Sequence, residues 1–434
     1  MNIVTELTRI YFLVIILLYT LEAYLYFGKK SERSKSRGLG VQIALLTMFS
    51  IGGFGVIFYH HHQWIVLLFL AGVLSYNTLT LVLFSSFYPK CSMLLLSNML
   101  MLLNIGFVIL ARLDFDKAMK QGIIVGAGTI LALLVPVMIR KLRVLEKLQI
   151  LYAILGIGAL MGVLALAVTS RGAKLSITVA GITIQFSEIV KITFVFYMAA
   201  RLAKDRSFRS VVVTSVVAAL HVGILVFSTD LGAARVFFVA YLVVIFVATG
   251  RPIYPLVGLL GGAAASVVAY FLFAHVQQRV IAWKDPFAVY ETSGYQIVQG
   301  LFGIGAGGWF GTGLCEGKPT MIPVAAKDFV FAAICEEFGS IFGICLLLIC
   351  MSIFLLICTI SLKLHNRFYK LAAIGLGAEY AFQVFLTVGG VTKFIPMTGI
   401  TLPLVSYGGS SVISTIVMLS IVQGMYIRRE DEGV

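Results

Sequence analysis

Arg279 to Gly339 reads RVIAWKDPFAVYETSGYQIVQGLFGIGAGGWFGTGLCEGKPTMIPVAAKDFVFAAICEEFG, the one long stretch of this chain too polar and too rich in glycine to be a membrane span. Everything around it is apolar. Residues 276–327 are therefore expected to lie outside the bilayer between two apolar helices. They end at Asp328, at the mouth of the next helix, with Glu336 and Glu337 deeper in. Chemistry is expected there.

The rest of the chain excludes a soluble globule. Of its 434 residues 60% are hydrophobic and 12% charged, against roughly a quarter charged in ordinary globular domains. The mean hydropathy is +1.01, so the chain reads as an all-α polytopic membrane protein. A net charge of +14 would suggest nucleic acid in a soluble protein. Here much of it falls in short loops, where membrane orientation and anionic headgroups explain it, and no nucleic-acid partner is expected. Cys91, Cys315, Cys335, Cys345, Cys350 and Cys358 show no C-x-x-C spacing, so neither a disulfide nor a zinc site is expected. The apolar run 7–27 is followed, not preceded, by its positive charges and reads as a retained span.

A span needs about 20 apolar residues. Thirteen stretches qualify: 7–27, 39–59, 64–87, 92–111, 121–139, 148–168, 185–203, 210–228, 230–249, 252–274, 329–362, 368–391 and 400–426. The eleventh is long enough to be tilted, kinked or to project beyond the membrane. If the thirteen alternate, the basic clusters at 29–37, 140–147, 201–209, 363–367 and 428–429 share one side. The positive-inside rule makes that side cytoplasmic. The C-terminus is then inside and the N-terminus outside. The long segment 276–327, with 112–120, 170–184 and 392–399, faces outward. The His60-His61-His62-Gln63 turn has side chains of metal-ligand type but reads as a solvated loop, and no chemistry is assigned to it.

Polar features recur at the outward ends of spans: Gln185-Phe-Ser-Glu188 with Lys191, Thr229-Asp230-Leu-Gly232, and Pro396-Met-Thr-Gly399 running into Ser406-Tyr-Gly-Gly-Ser410-Ser411. Asp328 and Asp230 stand at helix starts, where a carboxylate is a good N-cap. Glu188 and Lys191, at i,i+3, can pair on one helix. If the helix is continuous from Asp328, Glu336 lies about 12 Å along it and offset by roughly 80°, with Glu337 to the other side. Ionisable groups within a span pair with one another or line a cavity. The glycine run 303–313 lacks the strand-to-helix context of a phosphate-binding loop. Its glycines either let backbone approach a bulky ligand or turn tightly at the surface.

In combination the L-P-L-V-S-Y-G-G-S-S, G-Y-Q-I-V-Q and D-F-V-F-A-A-I-C-E-E-F-G segments are specific. With them the chain resembles the SEDS family (RodA/FtsW/SpoVE-like), membrane peptidoglycan glycosyltransferases of bacterial cell-wall synthesis. The resemblance covers 92–426, a ten-span catalytic core that includes the external segment 276–327. It leaves 1–91 as a three-span N-terminal extension and 427–434 as a cytoplasmic tail. It implies a multi-pass protein of the bacterial plasma membrane that polymerises lipid II on the external face and expels undecaprenyl pyrophosphate. Asp328 matches the family's catalytic aspartate, here as general base. Arg279, Lys327 and Lys393 bring charge suited to the pyrophosphate. Glu188, Lys191, Asp230, Gln296, Gln299, Glu336, Ser406 and Ser410 complete the implied substrate-binding set. The expected partners are lipid II, membrane lipids and a class B penicillin-binding transpeptidase. No soluble cofactor is indicated; a divalent cation, Mg or Mn, would suit the pyrophosphate, but the sequence shows no dedicated cage.

Several positions depart from the family pattern. The usual Q-P-S-E reads Gln185-Phe186-Ser187-Glu188, an upstream Arg-Trp is Lys174-Leu175, Gln-Ser is Gln299-Gly300, the hydroxyl residue before the catalytic Asp is Lys327, and a penultimate-span Asn is Thr387. They describe a divergent branch. Two other classes of reading stand beside polymerisation: a flippase or transporter for a lipid-linked precursor, and a non-catalytic scaffold for a transpeptidase. A transporter is expected to place charges near the middle of several spans. Here Glu188, Asp230, Asp328 and Lys393 gather towards one side.

Overall fold

A computed structural model describes residues 3–166, 177–179 and 182–431. Its helices in chain order are α1 (Ile3–Gly28), α2 (Glu32–His61), α3 (Trp64–Phe87), α4 (Met93–Leu113), α5 (Phe115–Lys141), α6 (Gln149–Leu166), α7 (Phe186–Lys204) and α8 (Phe208–Phe227). There follow α9 (Leu231–Thr249), α10 (Ile253–Leu272), α11 (Ala274–Lys284), α12 (Tyr295–Gly307), α13 (Val330–Phe338), α14 (Ser340–Lys363), α15 (Arg367–Val391) and α16 (Gly409–Asp431). Within the expected outward segment 170–184 a small hairpin pairs β1 (Ile177–Val179) with β2 (Ile182–Ile184). Lys174-Leu175 lies outside the described residues.

Helix occupies every predicted span, but among the described residues 11 helices, not thirteen, are long and apolar enough to cross a membrane. The shortfall has two causes. The described residues stop at Leu166, so the expected span 148–168 is described only in part, and α7 carries Glu188, Lys191, Arg201 and Lys204 in 19 residues. The last span begins at Gly409 rather than 400, because 400–408 is non-helical, and it continues through Asp431, so most of the expected tail is helix.

The chain divides into two compact units. The first comprises Met1–Ile130, Val280–Ile353 and Val384–Gly408. Its axis is α4, with every residue from Leu94 to Ala111 buried. Buried amides tie α4 to its neighbours: Asn104 and Asn77 exchange hydrogen bonds at 3.1 Å, Ser50 Oγ donates to Asn104 Oδ1 at 2.7 Å, and Tyr19 Oη donates to Asn98 Oδ1 at 3.2 Å. In hydrocarbon, where apolar burial gives helices little reason to associate, such bonds and close packing hold them together. The second unit comprises Leu131–Arg279, Phe354–Gln383 and Gly409–Val434. Its α7 packs on α6, α8, α9 and α16. Helix α10 buries no residue, as a lipid-facing helix would.

The predicted eleventh span, 329–362, is not one helix. It breaks at Gly339, which adopts φ +92° and separates α13 from α14. The glycine run fills the break. Thr312 N–H donates to Glu336 O at 2.8 Å and Gly313 N–H to Glu337 O at 2.9 Å, while Ser340 N–H reaches Gly308 O at 2.9 Å and Ile341 N–H reaches Trp309 O at 3.2 Å. The open carbonyls of one helix and the open amides of the next are thus satisfied by one loop, as buried helix ends require. Glycine is needed for that approach. A Cβ on Gly339 would lie 2.4 Å from Trp309 O, and one on Gly311 would lie 2.3 Å from Glu337 O.

Gly339→Ala is therefore expected to lower the thermal unfolding midpoint by several degrees, since it combines a strained φ with a backbone clash. Gly305→Ala, where a Cβ meets nothing within 4 Å, should leave the midpoint unchanged. Equal behaviour of the two variants in detergent would contradict the docked loop.

Candidate active site

Asp328 lies in the turn immediately before α13, half-buried. It is not the N-cap; that position belongs to Phe329, whose side chain makes no capping bond. The helical extrapolation from Asp328 to Glu336 also fails, because helix starts only at Val330. Three segments instead fix the turn. From 402–408, Ser406 Oγ donates to Lys327 O at 2.6 Å and Tyr407 N–H to Ala326 O at 2.7 Å. Ser406 Oγ also accepts from Leu402 N–H at 2.8 Å, and Gln121 Nε2 of α5 holds Ser406 O at 2.9 Å. From α12, Gly300 meets the Phe329 ring: a Cβ there would lie 2.6 Å from Phe329 Cδ1. That gives the Gln-Ser to Gln299-Gly300 departure a steric reason. From 396–399, Gly399 runs beside the carboxylate, its Cβ position being 3.8 Å from Asp328 Oδ2.

The other expected residues of the first unit divide into buried and accessible. Ser406 is 1% exposed, so its hydroxyl serves the backbone around Asp328. Glu336 is buried, and its Oε1 accepts from Lys318 N–H at 2.6 Å, bracing the glycine-rich loop. Glu337 pairs with Arg112 of α4: Nε to Oε1 is 2.8 Å, and Arg112 Nη2 also donates to Gly317 O at 3.1 Å. Lys327 is exposed and Lys393 half-buried. Lys393 adopts φ +60°, with its carbonyl accepting from Trp283 Nε1 at 3.1 Å. On α12, Gln299 Nε2 donates to Tyr290 Oη at 3.0 Å, and Gln296 Nε2 is buried without a partner. His60 Nε2 lies 3.8 Å from Glu316 Oε1. Among the described residues no group of three or more His, Cys, Asp or Glu could hold a metal ion.

The expected residues of the second unit form their own network. Asp230 caps α9 through Ala233 N–H at 3.0 Å and accepts from Gln185 Nε2 at 3.2 Å and Ser187 Oγ at 3.1 Å. Gln185 N–H reaches Ser410 Oγ at 3.3 Å. Lys191 Nζ bridges Glu188 Oε2 at 2.7 Å and Gln383 Oε1 at 3.0 Å. Arg279 on α11 is within electrostatic reach of His275, one turn back, and of Arg235 on α9.

This is a carboxylate held at the base of a helix, beside a glycine, with cations near it in sequence, in an apolar helical body. The sequence profile of the cell cycle protein family FtsW/RodA/SpoVE matches residues 85–431. The chain belongs to that family. It is 35% identical over 383 residues to the peptidoglycan glycosyltransferase RodA of Mycobacterium tuberculosis, covering 80% of this chain and 82% of that one. It is 31% identical over 360 residues to the probable peptidoglycan glycosyltransferase FtsW of Aliivibrio salmonicida, covering 78% and 86%. A chain in the structure of a peptidoglycan synthase complex that coordinates polymerization and crosslinking aligns with TM-score 0.68 at 25% identity, over 78% of this chain and 98% of that one. The rod shape determining protein RodA of Thermus thermophilus shares the fold with TM-score 0.60 at 24% identity, over 77% and 96%. This SEDS protein is a peptidoglycan glycosyltransferase and a multi-pass protein of the plasma membrane.

Sequence reading missed Arg112, Gln121, Arg235, Gln383 and Glu379. Glu379 is 1% exposed with both carboxyl oxygens lacking a hydrogen bond, and Lys191 acts on it electrostatically. A Glu inside an apolar run was a readable signal for Glu379; nothing local marks Arg112 as the partner of a residue 225 positions away. Removing one side of such a buried pair costs about 3–5 kcal/mol. Arg112→Ala should therefore depress the thermal midpoint strongly, and Arg112→Met with Glu337→Leu should recover most of the loss. A double variant no better than the single would mean the pair is not what holds α13.

Proposed function

We propose that this glycosyltransferase polymerises lipid II on the external membrane face, with Asp328 as general base. The carboxylate takes the proton from the 4-hydroxyl of an N-acetylglucosamine. The freed oxygen attacks the anomeric carbon of N-acetylmuramic acid, the glycosidic bond forms, and the bond to undecaprenyl pyrophosphate breaks with its electrons leaving on the phosphate oxygen. An α-linked donor then gives a β-1,4 product by inversion. The observation that carries the reading is the half-buried Asp328 in a turn fixed by Ser406 and Tyr407, with Gly399 running beside its carboxylate. A base must be positioned and reachable, and such a role is worth about 10²–10⁴ in rate. Lys327 and Lys393 are assigned to the pyrophosphate, and Gln296, with its unpartnered buried amide, to the sugar.

Orientation follows loop charge: C-terminus cytoplasmic, N-terminus external. The three-helix extension 1–91 is assigned to partner docking and 92–426 to the core. A class B penicillin-binding transpeptidase is the proposed partner, in keeping with the crosslinking described for the similar synthase complex.

One observation favours the transporter reading as a second activity. Glu379 sits midway along α15 with its oxygens lacking hydrogen bonds, on the same unit as the Glu188–Lys191 pair. Buried charge at mid-span is what a polar transport path requires.

With purified protein and its transpeptidase, Asp328→Asn should yield no glycan polymer on a gel while wild type does; persistent polymer from the variant would remove Asp328 from the chemistry. Glu379→Ala should leave polymerisation intact. If it instead abolishes lipid II translocation into sealed vesicles that wild type supports, the transporter reading gains its evidence.

A further inference from the structure

At the end of α7 away from Glu188, the second unit carries a recess of about 570 Å³, within the range of roughly 300–1,000 Å³ usual for small-ligand sites. Its cations come from three separate segments: Lys147 from a 3-10 turn, Lys204 from the last turn of α7, and Arg367 from the first residue of α15. Among the described residues none of the three is in an ion pair. The one lining carboxylate, Glu146, is engaged, accepting from Asn366 Nδ2 at 2.7 Å. Gln149, the first residue of α6, presents an Oε1 that is buried without a partner. The floor, Ala200 and Ala203 with Phe368, is apolar. Loop charge alone would orient the protein; it requires neither a concavity nor the convergence of three segments on it.

We propose that this recess binds the headgroup of an anionic glycerophospholipid of the cytoplasmic leaflet, such as phosphatidylglycerol. The phosphodiester would sit among Lys147, Lys204 and Arg367, and a glycerol hydroxyl would donate to Gln149 Oε1. The apolar floor receives the start of the acyl region. Basic pockets between helices on the cytoplasmic side suit such headgroups. The site lies apart from Asp328 in sequence and function, so it stands whether or not Asp328 is the base.

The test uses the full chain in detergent micelles doped with phosphatidylglycerol, phosphatidylcholine or undecaprenyl pyrophosphate, read by native mass spectrometry. Wild type should retain phosphatidylglycerol over phosphatidylcholine, and less so at high salt. Lys147→Gln with Lys204→Gln and Arg367→Gln should reduce that retention about tenfold or more. Lys147→Arg with Lys204→Arg and Arg367→Lys should keep it, which separates lost charge from lost folding. Retention unchanged in the neutral variant would overturn the proposal. So would an equal loss in Lys30→Gln with Arg33→Gln and Arg37→Gln, since net charge alone would then explain it. Loss of undecaprenyl pyrophosphate binding without loss of phosphatidylglycerol would overturn it in favour of a lipid-linked precursor site.

Discussion

The docking of backbone on backbone at Gly339 is the constraint from which the first unit's site follows. A helix broken inside a membrane protein leaves carbonyls and amides that water does not reach, and each costs several kcal/mol unless paired. Residues 308–313 pair Glu336 O and Glu337 O on one side of the break and Ser340 N–H and Ile341 N–H on the other. This fixes the C-terminal end of the nine-residue α13. Arg112 and Lys318 N–H then engage the two glutamates of its last turn. At its other end Ser406, Tyr407 and Gly300 confine the turn that carries Asp328. The aspartate's position is set by both ends of one short helix.

The N-terminal helices are part of that support. Phe12 of α1 and Phe49 of α2 stack edge-on, and both approach Phe338 at the end of α13, at 5.2 Å and 6.3 Å. Phe49 also lies 6.0 Å from Phe342 of α14. Aromatic pairs of this kind add about 0.5–1.5 kcal/mol beyond their buried area. Thr5 Oγ1 donates to Glu316 Oε1 at 3.1 Å, tying α1 to the long outward segment. Residues 1–84, which lie before the family match at 85–431, thus include aromatic side chains that pack against the helix following Asp328.

How much of this was legible depended on whether the signal was local. Helices were readable, because 20 consecutive apolar residues leave few alternatives in a membrane. The family segments around Asp328 singled it out as the candidate base. The Glu188–Lys191 pair and the Asp230 cap were readable from spacing alone, and the pair forms at 2.7 Å. That 329–362 could be kinked was readable from its length, but the place of the break at Gly339 was not: E-E-F-G-S sits inside a run hydrophobic enough for one long helix, and only the far-off glycines of 308–313 show why it stops. Their purpose was legible in part. Tight turning was expected, and Gly308, Gly311 and Gly313 do take positive φ; close backbone approach was expected towards a bulky ligand, whereas at 311 and 313 the neighbour is the carbonyl of Glu337. Ser406 looked like a substrate contact in a small-residue motif; its burial and its bonds to Lys327 O and Leu402 N–H make it a support for the turn.

The central claim is that clamps on the turn before α13 hold Asp328 for catalysis, and the most direct test is steady-state lipid II polymerisation by Ser406→Ala. A positioning hydroxyl that never meets substrate should lower kcat by an order of magnitude or more while KM stays near wild type. An unchanged kcat, or a raised KM with kcat intact, would contradict the claim and return Ser406 to the substrate-binding surface.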